Sequence, residues 1–223
     1  MIELVSVSKS FGNIHALKDI SIQFSEDKIH GIVGLNGAGK TTLYNVLCGI
    51  YPYNGTIIYK DKKLLNNIHK IIAMLPTSSY FFPRSTAEEY LTFIATAKGL
   101  KVNANDIQKY NLFNLPLRQY INAYSSGMKK KLAFAGMLIG EYEMYILDEP
   151  FNGVDLQGNI ILKREILKLK EEEKTVFISS HTLSSLTDIC DEIHLLDKGC
   201  FIESFSKNNF ASIENALIHL IPD

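Results

Sequence analysis

Apolar and polar positions along the chain change period several times, and those changes predict an α/β order. Residues 2–7 and 19–24 alternate with period two, which predicts two strands of an antiparallel edge joined by a loop carrying Phe11-Gly12. Residues 29–33 form a short, largely apolar, β-prone run, the pattern of a buried strand, and residues 43–48 then read as the first turns of a helix. Two more strands are predicted over 55–59 and 70–75. The character then turns helical: residues 86–98 carry a helical period with Thr86 as cap, and 103–123 hold one short helix, then Pro116 and a polar turn. A further helix opens over 125–132. Residues 144–149 are an apolar run ending in two carboxylates, the pattern of a buried strand with acids at its C-terminal end. Residues 156–173 form a long amphipathic helix with Leu162, Ile166 and Leu169 on one face, and 174–179 are another strand. A hairpin over 191–197 and 200–204 and a short helical tail over 206–223 close the chain. This order predicts an α/β fold: one domain over 1–223, with a mainly parallel core sheet, an antiparallel β edge and a helical insertion over about 77–140.

Composition narrows the class. The 23 basic residues nearly cancel the 24 acidic ones and no block of five like charges occurs, so bulk charge gives no argument for nucleic acid or an anionic membrane surface. Cys48, Cys190 and Cys200 are odd in number and lack metal-ligand spacing, which reads as buried, reduced thiols in a cytosolic protein. The first residues, Met1-Ile2-Glu3-Leu4-Val5, have neither a basic start nor a long apolar core, so no signal peptide is expected. No apolar run approaches the roughly 18 residues of a spanning helix, so any membrane association is expected through a partner.

Candidate chemistry centres on residues 34–42, Gly-Leu-Asn-Gly-Ala-Gly-Lys-Thr-Thr, which fit G-x-x-x-x-G-K-[ST] between a predicted strand and a predicted helix. Glycines let the backbone curl around an anion, and the helix N-terminus adds partial positive charge. In that reading Asn36, Gly37, Ala38, Gly39, Lys40, Thr41 and Thr42 cradle phosphate, Lys40 reaches the β- and γ-phosphates, and the Thr41 hydroxyl serves Mg²⁺. Asp148 is placed to orient Mg²⁺ or its water shell, and Glu149 to accept a proton from an attacking water. His181 falls at the end of another strand, within reach of a γ-phosphate. Phe11 reads first as a core ring and only second as a surface on which a base stacks. Ser125 is an N-cap followed by three lysines, Lys129, Lys130 and Lys131, an unfavourable place for cations unless an anion or acid compensates.

With these residues in order, the chain resembles the ATP-binding subunits of ABC transporters over nearly its whole length, and its Tyr124-Ser125-Ser126-Gly127-Met128 segment followed by basic residues is similar to the ATPases of ABC-2-type exporters. The resemblance implies ATP and Mg²⁺ as cofactors and a head-to-tail pairing, as a homodimer or heterodimer, in which each ATP lies between one cradle and the other subunit's signature loop. Ser125 and Gly127 then face a γ-phosphate across the interface, and the bound anion offsets the lysines. Asp155 links the two sites, Phe11 stacks on adenine, Glu149 is the general base and His181 a γ-phosphate contact. It also implies a separate transmembrane permease subunit, with this chain cytoplasmic and peripheral on the inner face of the membrane. Two departures from the family pattern stand out. Thr77 occupies the place of a Gln that touches Mg²⁺ and senses the membrane partner, and Ser126 and Met128 replace Gly and Gln of the signature. They favour an alternative, an ATP-binding regulatory or scaffolding subunit with little turnover; Lys40, Asp148, Glu149 and His181 oppose it. The exposed-looking run Tyr80-Phe81-Phe82 reads either as a docking surface for the permease or as core of the helical lobe.

Overall fold

The computed structural model describes residues 1–60, 62–63 and 68–218; positions 219–223 of the expected helical tail lie outside the described residues. In chain order the elements are β1 (Ile2–Phe11), β2 (Ile14–Phe24), β3 (Ile29–Val33), α1 (Lys40–Leu47), β4 (Asn54–Tyr59), β5 (Lys62–Lys63), α2 (Ile68–Ile71) and β6 (Ile72–Leu75). Three helices follow: α3 (Ala87–Ala97), α4 (Ala104–Lys109) and α5 (Ser126–Met137). The chain then runs through β7 (Met144–Leu147), α6 (Leu156–Glu171), β8 (Thr175–Ser179), α7 (Leu183–Thr187), β9 (Glu192–Asp197), β10 (Cys200–Ser206) and α8 (Ile213–Ile218).

These strands make two sheets. One has the order β10-β9-β3-β8-β7-β6, parallel from β9 to β6 with β10 antiparallel at its edge. Every residue of β3, β7 and β8 is buried, which is why these strands read as continuous apolar runs rather than alternating ones. The other sheet is antiparallel, in the order β2-β1-β4-β5, so residues 55–59 join the edge layer and not the parallel core. β1 extends to Phe11 rather than ending at residue 7. Register shifts between Leu4 and Ser10, with Ser6 at φ 51°, break the alternation midway, so the strand continues past the point where its period stops.

Apolar side chains fill both faces of the parallel sheet. Ile32, Ile146 and Phe177 pack with Leu43 and Leu47 of α1 and with Leu4 and Phe24 of the antiparallel sheet. Ile29, Leu147 and Ile178 pack on the opposite side with Phe134 of α5 and Leu162 and Ile166 of α6. The helices between β6 and β7 have a cluster of their own, including Leu91, Ile107, Ile121 and Leu132. Thr86 starts α3 with a capping box: its hydroxyl accepts from the Glu89 N–H while its own N–H donates to the Glu89 carboxylate. Of the aromatic run, Phe81 turns inward against Tyr90, whereas Tyr80 and Phe82 stay exposed. The thiols are also divided. Cys190 is buried, but Cys48 and Cys200 are only partly covered, so burial of all three does not hold.

Candidate functional site

The parallel strands end on one side of the sheet, and their C-terminal ends deliver the loop after β3, Thr77 after β6, the Asp148-Glu149 pair after β7 and Ser180-His181 after β8. That edge is where open α/β sheets gather ligand groups. A cleft of about 550 Å³ lies there, lined by Asn36, Gly37, Ala38, Gly39, Lys40, Thr41, Thr42, Thr77, Asp148, Glu149 and His181, and also by His15, Ala16 and Lys18.

Two glycines make the loop possible. A Cβ on Gly34 would meet the Leu196 carbonyl at 2.1 Å, and Gly39, at φ 112°, would bring one within 2.7 Å of the Ala16 carbonyl. Gly39 is also the N-cap of α1, and no side chain caps this helix, so its first-turn N–H groups are left to whatever fills the cleft. Lys40 curls back over the loop, donating to the carbonyls of Gly34 at 2.7 Å and Leu35 at 3.3 Å. Burial pushes its ammonium below the ordinary lysine range, while Glu149 and Asp148 pull the other way.

Asp148 is the hub of the acidic side. Its Oδ2 accepts from the hydroxyls of Thr41 and Thr77, each at 2.7 Å, and its Oδ1 accepts from Ser179 at 2.7 Å. Ser179 in turn accepts from the Glu149 N–H at 3.0 Å. Glu149 is held at φ 54°, a left-handed backbone that a non-glycine residue adopts at a cost of order 1–3 kcal/mol. Its Oε2 accepts from the His181 N–H at 3.1 Å. Its Oε1 is buried with no hydrogen bond among the described residues, although His181 Nε2 stands 3.2 Å away without hydrogen-bonding alignment. A buried, under-satisfied carboxylate oxygen beside a half-exposed imidazole is suited to proton chemistry. The Thr41, Thr77 and Asp148 atoms form an all-oxygen donor set, which fits a hard cation such as Mg²⁺.

Ser125, Gly127 and Asp155 stand apart from this cleft. Ser125 caps α5 by accepting from the Met128 N–H, and Asp155 caps α6 by accepting from the Gly158 N–H. A Cβ on Gly127 would meet the Gly153 carbonyl at 2.4 Å, so the first turn of α5 lies directly on the 152–154 turn. Asp155 also pairs with Lys131 at 2.8 Å, and Lys130 donates to the Thr77 carbonyl at 2.6 Å. Two of the three lysines that open this helix are therefore compensated within the chain, not by a ligand alone. Phe11 does not line the cleft; its ring meets Tyr51 edge-on at 5.3 Å, with Lys9 Nζ 4.8 Å from its centroid.

Ser179 and Lys130 are the members of this network that residue-by-residue reading passes over. A hydroxyl at the buried end of the strand next to an acidic pair was the available signal for Ser179. For Lys130 no local pattern distinguishes it from its two lysine neighbours.

Residues 17–152 match the family model described as ABC transporter. The chain is 32% identical to the bacitracin transport ATP-binding protein BcrA of Enterococcus faecalis, over 91% of this chain and 68% of that protein. It is 28% identical to the ABC transporter ATP-binding protein NatA of Bacillus subtilis (strain 168), covering 89% and 87%, and 27% identical to the linearmycin resistance ATP-binding protein LnrL of the same organism, covering 95% and 71%. Among solved structures, the dimeric ATP-binding cassette MJ0796 in a post-hydrolysis state with ADP and Pi superposes with a TM-score of 0.83 at 21% identity, over 93% of this chain and 99% of that one.

Proposed function

We propose, from the premise that this chain belongs to the ABC transporter family, that it is the ATP-binding and ATP-hydrolysing subunit of a membrane exporter. The carrying observation is the convergence on one cleft of Lys40, Thr41, Asp148, Glu149 and His181 from three separate segments. In this reading the N–H groups of residues 37–42, with Asn36 at the rim, hold the ATP phosphates, and the Lys40 ammonium leaves its loop carbonyls for the β- and γ-phosphates. Thr41, Asp148 and Thr77 hold Mg²⁺, which when bound screens the phosphate charge. Glu149 takes a proton from the attacking water and His181 contacts the γ-phosphate. Phe11, at the end of β1, turns toward adenine only once nucleotide displaces its contact with Tyr51.

A second copy or a related subunit completes each site head to tail, its Ser125, Gly127 and Asp155 facing the cleft from outside. Bound ATP favours the closed pair and hydrolysis releases it. The names of two relatives, for bacitracin transport and linearmycin resistance, support export as the direction. No described helix is long and apolar enough to cross a membrane. In this reading coupling runs through a separate transmembrane subunit, with exposed Tyr80 and Phe82 as the docking surface. Work at the inner face of the membrane follows from that docking.

Steady-state phosphate release with and without Glu149→Gln tests the assignment. The variant is expected to bind ATP, accumulate a closed dimer and lose turnover by about 10²-fold or more; wild-type turnover in the variant excludes Glu149 as the base. Turnover absent from the wild-type protein with its membrane partner present would instead favour a regulatory subunit. Co-purification of the membrane partner with a Phe82→Glu variant would remove the docking surface.

A further inference from the structure

At the opposite end of β3 from the cleft, three donor groups meet that ATP chemistry does not use. His30, the second residue of β3, lies opposite Glu192 on neighbouring β9, and His194 follows two residues later on the same face. Both imidazoles are buried in an aromatic box. His30 stacks on Phe177 at 5.2 Å, and His194 lies edge-on to Phe24 at 5.0 Å and Phe201 at 6.1 Å.

The outer nitrogen of each ring is tied down. His30 Nε2 donates to the Ser25 carbonyl at 2.8 Å; a carbonyl only accepts, so the proton of neutral His30 sits on Nε2 and Nδ1 presents a lone pair. His194 Nδ1 lies 2.7 Å from the Ser204 hydroxyl, which can take either role. The inner nitrogens, His30 Nδ1 and His194 Nε2, are 3.1 Å apart. A shared proton accounts for that contact, and a pair of core imidazoles needs no more. A third donor is nevertheless present. Glu192 Oε2 stands 3.5 Å from His30 Nδ1 and 3.8 Å from His194 Nε2, while its Oε1 accepts from Lys28 at 2.5 Å.

From this geometry we propose that His30, His194 and Glu192 form a binding site for a divalent first-row transition metal of the Zn²⁺ or Co²⁺ type. A point equidistant from the three donor atoms lies about 2.0 Å from each, the length of a Zn–N or Zn–O bond. Two imidazoles and one carboxylate select such ions over Mg²⁺ or Ca²⁺, which take oxygen ligands. Ser25, Ser204 and Lys28 hold the far sides of the ligands, the arrangement that fixes ring tautomer and carboxylate direction in metal sites. Glu192 is a quarter exposed while both rings are closed off, so the open coordination position and the entry path lie on its side. The proton count closes without release. The His194 proton moves from Nε2 to Nδ1, where Ser204 Oγ accepts it, and both ring lone pairs become free for the ion. Binding would clamp β3 to β9 and β10, on the strand that leads into the phosphate cradle.

Chelator-treated full-length protein titrated with Co²⁺ tests the site, read by visible absorption and by bound metal per chain. Wild type and His181→Ala, which alters only the ATP cleft, are expected to give the same Co²⁺ band. Glu192→Gln, a rim substitution that keeps shape, and His194→Gln are expected to raise the dissociation constant at least about tenfold. A band retained in Glu192→Gln and His194→Gln, a band lost in His181→Ala, or no band in the wild-type protein overturns the proposal.

Discussion

Lys130 on α5 donates to the backbone carbonyl of Thr77 at 2.6 Å, and the Thr77 hydroxyl donates in turn to Asp148 at 2.7 Å. The helix that begins at the signature loop is therefore joined to the acidic side of the cleft through one threonine. Lys130 is only 8% exposed, and burial pushes its ammonium below the ordinary lysine range while Asp148 and Glu149 act against that shift.

Lys130→Met keeps the side-chain volume and removes the charge. Thr77 is an exposed residue, so its carbonyl can turn to water and stability should change by no more than about 1 kcal/mol. Turnover should fall by about tenfold, because Thr77 loses the contact that fixes its hydroxyl on Asp148. Urea unfolding alongside phosphate release separates the two effects. A variant with wild-type turnover would mean that the contact is packing alone.

Ser179→Ala should be costlier to the fold than its size suggests. Its hydroxyl donates to Asp148 Oδ1 and accepts from the Glu149 N–H, and the residue is fully buried. Removing it strands one acceptor and one donor out of reach of solvent, a loss of about 2 kcal/mol. It also frees Glu149 from the contact that holds its left-handed backbone. An unchanged unfolding midpoint would show that water replaces the hydroxyl.

Gly127→Ala sets helix propensity against sterics. Alanine inside a helix is favoured over glycine by about 1 kcal/mol, but here its Cβ would lie 2.4 Å from the Gly153 carbonyl, a backbone atom that cannot swing aside. The clash should win, giving a net loss of about 1–3 kcal/mol as α5 lifts from the 152–154 turn. A higher melting temperature in the variant would show that the turn yields instead.

The phosphate loop, the acidic strand end and the parallel core are legible in sequence because each is a local pattern: glycines at fixed offsets, an apolar run closed by two acids, strands buried on both faces. β1 is misread as shorter because register shifts near Ser6 break its alternation while pairing continues. The contacts that organise the site are long-range and leave no local trace. Ser179 reaches Asp148 from 31 positions away and Lys130 reaches Thr77 from 53. His30 and Glu192, separated by 162 positions, become neighbours only because β3 and β9 pair in parallel. A lysine beside two other lysines, or a histidine in an apolar strand, reveals nothing until the topology has placed its partner.

Lys98 carries a pH dependence of definite sign. It closes α3, its ammonium donates to the Ile139 carbonyl and lies 4.6 Å from the Tyr142 ring centroid, and burial pushes its pKa from the ordinary 10.5 down to about 8. Between those two values the unfolded chain binds the proton that the folded chain has lost, so folding is favoured as pH rises. This stabilising contribution is complete above 10.5 and is lost as pH falls through about 8. Lys98→Met removes the titrating group while keeping the aliphatic stem. Between about pH 7 and about pH 10 the wild-type unfolding midpoint should therefore rise relative to that of the variant. Parallel curves for the two proteins would mean that the ammonium stays solvated in the folded state.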